Sequence, residues 1–443
     1  MDNRYYFPIL SLIFFLLSTG SGISQPDYSN YWMQWRGPLN IGIATTGNPP
    51  VEFSESKNLK WKTPIPGKGH ATPVVWKDKI IIQTAVATTE VASEAPESSG
   101  EGSRMAPNHT DRIHEFRVLL IDRNNGQIIW DTEVAREWPQ ESTHDLGSWA
   151  SNSPCTDGEL IYAYFGSRGV YCLDFEGKVL WQRDFGQMQK HMSFGEGSSP
   201  FLYMDKLFIQ WDHEGDSYLY ALDKKSGEID WQHKRDEGTS WATPLVVDVN
   251  GEIQVITSAT NQVRAYNYHT GEIIWTSTGL TRNVIPNPLY NDGILYVMSG
   301  FRGSALQAID IKNAKGDITG TEAILWTYNQ DTPYTPNPVL LDGKLYFLRV
   351  NNGFLSCIDA KTGNPYYEKV RLEDISTLYS SPTGINDRIY IAANQVVLVI
   401  KAGEKFEILA TNAIDDNFHA SPVVVSDELI LRGFKSLYCF SEN

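Results

Sequence analysis

The side chains best suited to bind a ligand occupy two kinds of position in a repeated sequence: just before the first strand of a repeat, and at the tip between its second and third strands. Carboxylate and amide oxygens at such positions can hold calcium, an indole face can stack on a flat ring, and a guanidinium can bind a carboxylate. Together these groups would suit a flat cofactor or a sugar. The predicted binding residues are Glu196, Trp241, Asn287, Arg302 and Asn337. The sequence assigns no catalytic residue and no metal-ligand motif.

Further polar and aromatic residues occupy equivalent positions. Before first strands these are His70, Asn152, Asn283, Tyr334, Tyr379 and His419, and at the tips they are Arg168, Asp212, His213 and Asn351. Each has a structural alternative. An Asn near the proline that opens a repeat can cap a loop, which is also the alternative for Asn287 and Asn337. Residues 212–216 are interpreted as a solvated charged tip because their spacing matches no metal loop. His70 and His419 should be spatial neighbours, with either a structural role or a metal or catalytic one.

A repeat of about three dozen residues would position these side chains. In residues 198–231, Ser-Ser-Pro opens a first strand, Asp-Lys turns the chain into an apolar second strand, and a polar tip precedes the third. A turn rich in Asp, Lys, Ser and Gly then feeds a fourth strand that ends at Trp231. The phrase occurs eight times, opened by Pro73, Pro154, Pro200, Pro244, Pro288, Pro338, Pro382 and Pro422. Neighbouring prolines are 40 to 50 residues apart, except the first two, which are 81 residues apart.

The two ends of the repeat region complement each other. The eighth repeat stops after its third strand, at residues 438–440. Residues 58–62 precede the first repeat, and their sequence is typical of a fourth strand. We therefore predict that the N-terminal strand closes the last blade and leaves no open edge. The expected fold is all-β, an eight-bladed β-propeller of four-stranded antiparallel blades over residues 58–443. The loops before the first strands and the second-to-third tips should meet at one mouth of its central channel.

Three segments lie outside this pattern. Residues 1–24 carry one Arg, an apolar run and an exit of small residues, which is typical of a secretory signal peptide cleaved near Ser24. Residues 25–57 contain an aromatic sequence at 31–38 and are predicted to form an N-terminal strap packed across the propeller, with the wall of a pocket as the alternative. Residues 86–114 are rich in Ser, Glu, Gly and Pro, and predict a flexible insertion in blade 1, either a lid on the mouth or a loop without a role.

Composition limits the class of partner. The 443 residues carry a net charge of −16 at pH 7, which argues against nucleic acid and anionic membrane surfaces. No second apolar run of about 20 residues predicts a membrane span. Three of the four cysteines fall in a third-strand slot that favours a small buried residue, so free thiols are expected rather than disulfides. We expect a monomeric periplasmic or secreted chain whose partner at the channel mouth is a protein, a glycan or a small molecule.

Several repeats end in the same motif. It consists of a small residue, then Leu or Ile, then Asp, a turn that contains Gly, and a final Trp. It is LIDRNNGQIIW at 120–130, ALDKKSGEIDW at 221–231 and AYNYHTGEIIW at 265–275. This phrase resembles the tryptophan-docking repeat of pyrroloquinoline-quinone (PQQ)-like propellers, and the resemblance covers about residues 58–443. It implies that Gly and Trp lock neighbouring blades together. The sequence WRGP at 35–38 also resembles secreted bacterial members of that family.

The resemblance implies two classes of function. The family includes quinoprotein dehydrogenases and non-catalytic propellers, among them the propeller subunit of the outer-membrane β-barrel assembly machinery. The dehydrogenases usually carry an adjacent Cys-Cys pair and a Glu-Asn-Asp calcium set, but here no two cysteines are adjacent and no Cys-x-x-Cys-His haem motif occurs. We therefore expect a binding or scaffold module that acts through the channel-mouth face. The alternative is a PQQ-dependent dehydrogenase that oxidises an alcohol or sugar, with calcium held by Glu196, an Asn and a nearby acid, and an Asp or Glu that takes the substrate proton. A third class, hydrolysis near His70 and His419, has no motif.

Overall fold

Eight sheets of antiparallel strands make up the protein. In the computed structural model, which describes residues 28–93 and 108–442, every sheet contains four antiparallel strands joined in order, and the first strands of neighbouring sheets contact one another around the centre. The prediction of an all-β, eight-bladed propeller of four-stranded blades is confirmed. The signal peptide predicted over residues 1–24 lies outside the described residues. No helix in the described ranges is long and apolar enough to cross a membrane.

The strands of the first four blades follow the repeat. Blade 1 contains Val74–Trp76, Lys79–Val91, Arg112–Asp122 and Ile128–Glu137. Blade 2 contains Cys155–Thr156, Ile161–Tyr164, Val170–Leu173 and Val179–Arg183. Blade 3 contains Phe201–Tyr203, Lys206–Trp211, Ser217–Asp223 and Ile229–Arg235. Blade 4 contains Leu245–Val249, Glu252–Thr257, Val263–Asn267 and Ile273–Ser277, and its outer edge is covered by the short parallel strand Gly316–Asp317.

The remaining blades continue the pattern. Blade 5 contains Leu289–Asn291, Ile294–Ser299, Ala305–Asp310 and Ile324–Tyr328. Blade 6 contains Val339–Leu341, Lys344–Leu348, Phe354–Asp359 and Pro365–Arg371. Blade 7 contains Thr383–Ile385, Arg388–Ala392, Asn394–Lys401 and Ile408–Asn417. Blade 8 contains Val423–Val425, Glu428–Arg432, Ser436–Phe440 and, from the other end of the repeat region, Leu59–Pro64. Three short 3-10 turns complete the described part, Tyr28–Asn30, Gly166–Arg168 and His191–Ser193.

Burial of the strands explains their sequences. The second strand of blade 3, Lys206–Trp211, is buried along its whole length because it is covered by other blades on both faces. In the outer strand Ile229–Arg235, exposed and half-buried residues alternate from Asp230 to Lys234, as expected for a strand with one solvated face, and Arg235 at its end is buried. The apolar core therefore lies between neighbouring blades. All four cysteines are free thiols in this buried environment.

The N-terminal strand closes the ring as predicted. Leu59–Pro64 pairs antiparallel with Ser436–Phe440, the third strand of blade 8. Trp61 of this strand donates its indole N–H to the carbonyl of Arg123 in blade 1, 2.8 Å away. The first and last blades are thereby joined by this side-chain contact and by the chain itself, which runs from the fourth strand of blade 8 into blade 1.

Tryptophans of the outer strands dock onto the next blade. The indole of Trp231 donates to the carbonyl of Tyr268 at 2.9 Å, and a Cβ on Gly271 would come within 2.5 Å of the same ring. Gly271 also has a left-handed backbone, with φ of +71°. The conformation and the contact together explain why the repeated phrase pairs a Gly with a Trp of the preceding blade. Trp275 differs, because its indole donates to Gln254 within its own blade.

A closed ring of hydrogen bonds ties the first strands together. The residue before each of the eight prolines donates its backbone N–H to the side-chain oxygen of the equivalent residue in the following blade, at 2.6 to 3.1 Å. The ring consists of Thr72, Ser153, Ser199, Thr243, Asn287, Asn337, Ser381 and Ser421. A residue before proline adopts an extended backbone, which leaves its N–H free to bond sideways. We call these eight residues the proline ring.

The N-terminal segment crosses the centre of the propeller. Trp32 pairs with Val75 of blade 1 through two backbone bonds, and the buried guanidinium of Arg36 donates to the carbonyls of Pro382 and Pro338, at 3.0 and 2.9 Å. Burial lowers the pKa of Arg36 to about 9. Ala44 then donates to Gly384 of blade 7. The segment thus joins blade 1 to blades 6 and 7 across the channel.

The predicted insertion in blade 1 is partly regular structure. Residues 86–91 and 112–114 extend the second and third strands into a long hairpin, in which Ala87 pairs with His114 and Val91 with Arg112. Asn108, between the two strands of the hairpin, forms an isolated antiparallel bridge with Thr143, which follows the fourth strand of blade 1. Residues 94–107 of the insertion lie outside the described part.

Candidate functional site

An aromatic cavity of about 470 Å³ opens at the channel mouth. Its walls come from the loops before the first strands and from two tips, at Phe301 and Arg302 of blade 5 and at Asn351 of blade 6. Trp35 of the N-terminal segment also lines it, so this segment both packs across the propeller and forms part of a pocket wall. Rings of nine residues surround the space: Trp35, His70, His144, Phe194, Trp241, Phe301, Tyr334, Tyr379 and His419.

The rings are arranged in contacting groups. Phe301 and Tyr334 stack with their centroids 4.9 Å apart. On another wall, His419 lies 4.8 Å from both His70 and Tyr379, measured between ring centroids. Stacked and tilted rings that hold one another in place present fixed apolar faces. Such faces suit a flat ring or the C–H face of a sugar.

Glu196 supplies a carboxylate to this cavity. Its Oε2 accepts the backbone N–H of Ser167 at 2.7 Å, and its Oε1 accepts the Ser167 hydroxyl. Ser167 belongs to the 3-10 turn Gly166–Arg168, whose first residue must be Gly because a Cβ there would overlap the carboxylate. A carboxylate has about four acceptor sites. Since the turn occupies two of them, Glu196 retains capacity for donors from a ligand.

A buried lysine and a second carboxyl group lie behind Glu196. The ammonium of Lys190 donates to the carbonyls of Asp212 and Ser240, at 2.5 and 3.0 Å, and lies over the Trp241 ring. Burial lowers its pKa, an effect that Glu196 opposes. Burial also raises the pKa of Glu141 to about 7. The indole of Trp241 is fixed by donation to the carbonyl of Gly195 at 2.7 Å.

The two histidines expected to be neighbours do meet at the mouth. His419 donates its Nδ1–H to the carbonyl of Leu146 at 3.0 Å, and burial lowers the pKa of this imidazole to about 4. The pKa of His70 is also lowered, by burial and by the charge that His419 would carry. Both imidazoles are therefore neutral near pH 7, when they act as apolar, polarisable walls.

The five predicted binding residues separate into two groups. Glu196, Trp241 and Arg302 line the mouth cavity. Asn287 and Asn337 instead belong to the proline ring, where their Oδ1 atoms accept the backbone N–H groups of Thr243 and Asn287.

The other predicted mouth residues separate in the same way. His70, Tyr334, Asn351, Tyr379 and His419 line the mouth cavity, and Asn283 lines a second cavity beside it. Four lie elsewhere: Asn152, Arg168, Asp212 and His213.

The interpretation of residues 212–216 as a solvated tip is wrong for its first two members, Asp212 and His213, which are both buried. Asp212 is fully buried and accepts from Nε and Nη2 of Arg235, at 2.7 and 3.1 Å, and from Gln210 and Ser240. Asp212 can be buried because Arg235, at the end of the outer strand of blade 3, neutralises its charge inside the blade. Residues 214–216 are exposed as expected.

A second cavity of about 480 Å³ adjoins the first. The two share Met192, Phe194, Phe301 and Arg302. Polar groups dominate the rest of the second cavity, including Glu214, Thr239, Asn261 and Arg282. The sequence does not single out Arg282, Phe194, Phe301 or His144, because their loops carry no repeated signal. Only the neighbouring residues Asn283 and Arg302 indicated two of these loops.

The residues present do not match a calcium-bound quinone site. The Oδ1 atoms of Asn287 and Asn337 accept backbone N–H groups within the proline ring, so neither Asn joins Glu196 in a ligand set. Among residues 28–93 and 108–442, no three His, Cys, Asp or Glu side chains are placed to share a metal ion. The expected Glu-Asn-acid set is therefore not assembled, and no chemical step through a quinone can be derived.

Comparison with known proteins gives the same fold. The family model described as outer membrane protein assembly factor BamB matches residues 114–369 and 239–432. Tetrathionate hydrolase of Acidithiobacillus ferrooxidans is 21% identical over 274 residues, which are 57% of this chain and 49% of that protein. BamB of Francisella tularensis is 30% identical over 100 residues, 23% of this chain and 20% of that protein. The chain thus matches about half of the first relative and a fifth of the second.

Solved structures also resemble this propeller. Europium-containing methanol dehydrogenase has a TM-score of 0.65 at 9% identity, covering 94% of this chain and 98% of that one. Quinohemoprotein alcohol dehydrogenase from Comamonas testosteroni has a TM-score of 0.60 at 10% identity, covering 94% and 81%. BamB from Moraxella catarrhalis has a TM-score of 0.53 at 15% identity, covering 82% and 98%. At these identities the likeness concerns the fold.

Proposed function

The chain belongs to the family of outer membrane protein assembly factor BamB, a family of PQQ-like β-propellers, and we propose that it is a binding module that holds a glycan or other ring-bearing ligand at the channel mouth. The single observation that carries this proposal is the cavity itself. About 470 Å³ is enclosed by rings that fix one another and by one carboxylate with free acceptor sites. Concave, largely apolar spaces with a few convergent polar groups are the usual binding sites of proteins.

The arrangement favours binding over catalysis. Catalysis by acid and base needs a group that titrates near the working pH within reach of the reacting atom. Three histidines line the cavity: His70 and His419 have pKa values lowered by burial, and Nδ1 of His144 accepts the backbone N–H of Leu146. His419 donates its Nδ1–H to a carbonyl, and Glu141, whose pKa is about 7, does not line the cavity. Glu196 is fixed by Ser167 and faces the cavity as an acceptor. These groups can orient hydroxyl donors and stack a ring without any change in covalent bonds.

A glycan array probed with the labelled mature protein would test the proposal. Leu146 lines the cavity at its rim and is 40% exposed, so Leu146→Trp should fill the entrance with little cost to folding. Leu180, 47% exposed on the outer strand of blade 2, gives the matched control Leu180→Trp. We expect saccharide binding by the wild type and by Leu180→Trp, and none by Leu146→Trp. Saccharide binding that is absent from the wild type, or unaffected by Leu146→Trp, would contradict the proposal.

The dehydrogenase alternative has one observation in its favour, which is the set of aromatic faces able to sandwich a flat ring. Calorimetric titration with PQQ, with and without calcium, followed by dye reduction on alcohols and sugars, separates the two functions. Calcium-dependent PQQ binding would replace the binding proposal with the dehydrogenase. Flat heats and no dye reduction would support the binding module.

We also propose that the mature protein works outside the cytoplasm as a monomer. The basis is the signal-peptide-like sequence at residues 1–24 and membership of a family whose described member acts on outer membrane proteins. Cell fractionation with an antibody to the propeller, together with light scattering on the purified chain, checks both points. Recovery in the cytoplasmic fraction would contradict the first and a dimer mass the second.

A further inference from the structure

The cavity beside the mouth has a different chemistry from the mouth itself. The two cavities share a wall at Met192, Phe194 and Phe301, so a ligand longer than one ring can extend from one into the other. Arg302 lines both, and Arg282 lines the second. An isolated backbone bridge between Arg282 and Phe301 brings the two loops together.

These two arginines are exceptional in how little they contact. Every other arginine in the described ranges except Arg371 makes a side-chain hydrogen bond or an ion pair with a described residue. Arg302 lies 5.3 Å from the Phe301 ring centroid, and no described acceptor binds either guanidinium. Unpaired cations in a chain of net charge −16 make a local positive site that attracts anions.

No described acidic group nearby forms an ion pair with either arginine. Glu214, which lines the same cavity, accepts the N–H and hydroxyl of Thr239 through Oε1, at 3.2 and 2.7 Å. Glu237 forms an ion pair with Arg264 at 2.6 Å. The donors of Arg282 and Arg302 therefore remain available for a ligand, and a planar guanidinium matches the geometry of a carboxylate or sulfate.

The mouth next to this positive site favours a hydroxylated ring. Glu196 retains acceptor sites that need donors, and sugar hydroxyls supply them. A flat ring carrying several carboxylates would instead place acceptors against the Glu196 carboxylate, and the described residues assemble no metal site between them. The aromatic faces around the mouth cavity can also pack against the C–H surface of a sugar.

We propose that the second cavity is an anion subsite, and that the ligand is an acidic oligosaccharide whose carboxylate or sulfate is bound by Arg282 and Arg302 while a sugar ring occupies the mouth. This inference rests on the proposed binding function and adds the charge of the ligand. The anion bridges the two arginines across the shared wall, and the neutral part of the saccharide lies against Glu196 and the aromatic rings.

Matched saccharides and variants of the full mature chain test the subsite. Calorimetry would compare trigalacturonate with its carboxyl-reduced trisaccharide, and a sulfated galactan tetrasaccharide with its desulfated form. The proteins would be the wild type, Arg282→Gln/Arg302→Gln and the control Arg371→Gln, which removes another unpaired arginine at the end of an outer strand of blade 6. We expect the wild type and control to bind one acidic member about tenfold or more tightly than its neutral form. The double variant should bind both forms equally.

The outcomes separate the two proposals. Equal binding of acidic and neutral saccharides by the wild type, or an acidic preference that survives in Arg282→Gln/Arg302→Gln, would overturn the anion subsite and leave the binding module standing. Absence of binding to all four saccharides would overturn both. If the wild type prefers only the uronate or only the sulfated saccharide over its neutral form, that result would identify the anionic group of the ligand and support the subsite. Increasing the salt concentration should weaken the binding of the acidic saccharides but not that of the neutral ones.

Discussion

The proline ring and the mouth cavity draw on the same eight blades but use their side chains in opposite ways. In the ring, each blade contributes one small polar residue, and each oxygen accepts the N–H of the preceding blade. Five ring members also line the cavity, but its other lining groups do not repeat from blade to blade: they include one carboxylate, one arginine, and histidine, tyrosine and tryptophan rings at unequal positions. Repetition therefore builds the frame, and the departures from repetition build the site.

Charged residues show the same contrast. Asp212 and Arg235 are fully buried and satisfy each other inside blade 3, whereas Arg282 and Arg302 reach solvent at the cavity with no described acceptor. A buried charge must be paired because its desolvation is costly. An arginine left unpaired where most described arginines have acceptors is available for a partner from outside.

Removing Asp212 should produce the largest effect on the frame. Asp212→Ala leaves Arg235 as an unpaired buried charge, which should lower the free energy of unfolding by about 3–5 kcal/mol. Asp216 lies in the same tip, forms an exposed ion pair with Lys234 and is 70% exposed, so Asp216→Ala should cost less than about 1 kcal/mol. Urea denaturation of both variants measures the difference. Equal losses of stability in the two variants would contradict the distinction between a buried, paired Asp212 and an exposed Asp216.

The Gly-Trp contact between blades should come next. Gly271→Ala combines a left-handed backbone with a Cβ only 2.5 Å from the Trp231 ring, for a total of about 2–4 kcal/mol. Gly251 has φ of +91° but no atom within 4 Å of its built Cβ, so Gly251→Ala should lose only the backbone part, about 1–2 kcal/mol. Thermal unfolding followed by near-ultraviolet circular dichroism would also report movement of the indole. Identical losses of stability in the two variants would mean that the contact between Gly271 and the Trp231 ring does not contribute to stability.

Titration of His419 should link the mouth to stability. The pKa of this imidazole is about 4 in the folded protein, lowered by burial, against about 6.5 in the unfolded chain. The unfolded state binds the proton first, so stability is present above pH 6.5 and is lost as pH falls from about 6.5 to 4, by up to about 3 kcal/mol. Lys68 and His144 oppose protonation of His419.

Comparison of two glutamine variants isolates that titration. His419→Gln retains a donor for the Leu146 carbonyl but cannot be protonated, so its stability should fall less than that of the wild type between pH 7 and 4.5. His269→Gln replaces an exposed histidine in a turn of blade 4 and should follow the wild type. Glu141, with its pKa raised to about 7, acts in the opposite direction as pH rises, but it is common to all three proteins. Parallel curves for all three would contradict a neutral, buried His419.

The frame could be predicted from the sequence because it repeats. Eight prolines, the Gly-to-Trp phrase and a spare fourth strand were enough to place the blades and their closure. The hydrogen-bonding role of Asn287 was not predicted, since it appears only when the eight equivalent residues are seen as one closed ring. Nor could the burial of Asp212 be anticipated, because its partner Arg235 is 23 residues away and meets it only through strand register.

The site was only partly predictable for the opposite reason. Glu196, Trp241 and Arg302 were identified because topology brings their loops to one mouth. Arg282 follows no repeated position, and its importance comes from the lack of a partner, which is visible only when all neighbouring carboxylates have been assigned. Sequence alone reveals which loops meet but not which of their charges remain free.

The smallest effect is expected in the proline ring, and it separates frame from site most cleanly. Thr243→Val keeps the shape of the side chain but removes the acceptor of the Ser199 N–H, 2.9 Å away, at a cost of about 1–3 kcal/mol. Thr327→Val, on an exposed outer strand of blade 5, should be nearly neutral. Because Thr243 lies outside the cavity lining, saccharide affinity at a temperature where both variants are folded should equal that of the wild type. Loss of affinity in Thr243→Val would mean that the ring sets the geometry of the mouth, and the division between a repeated frame and an irregular site would no longer hold.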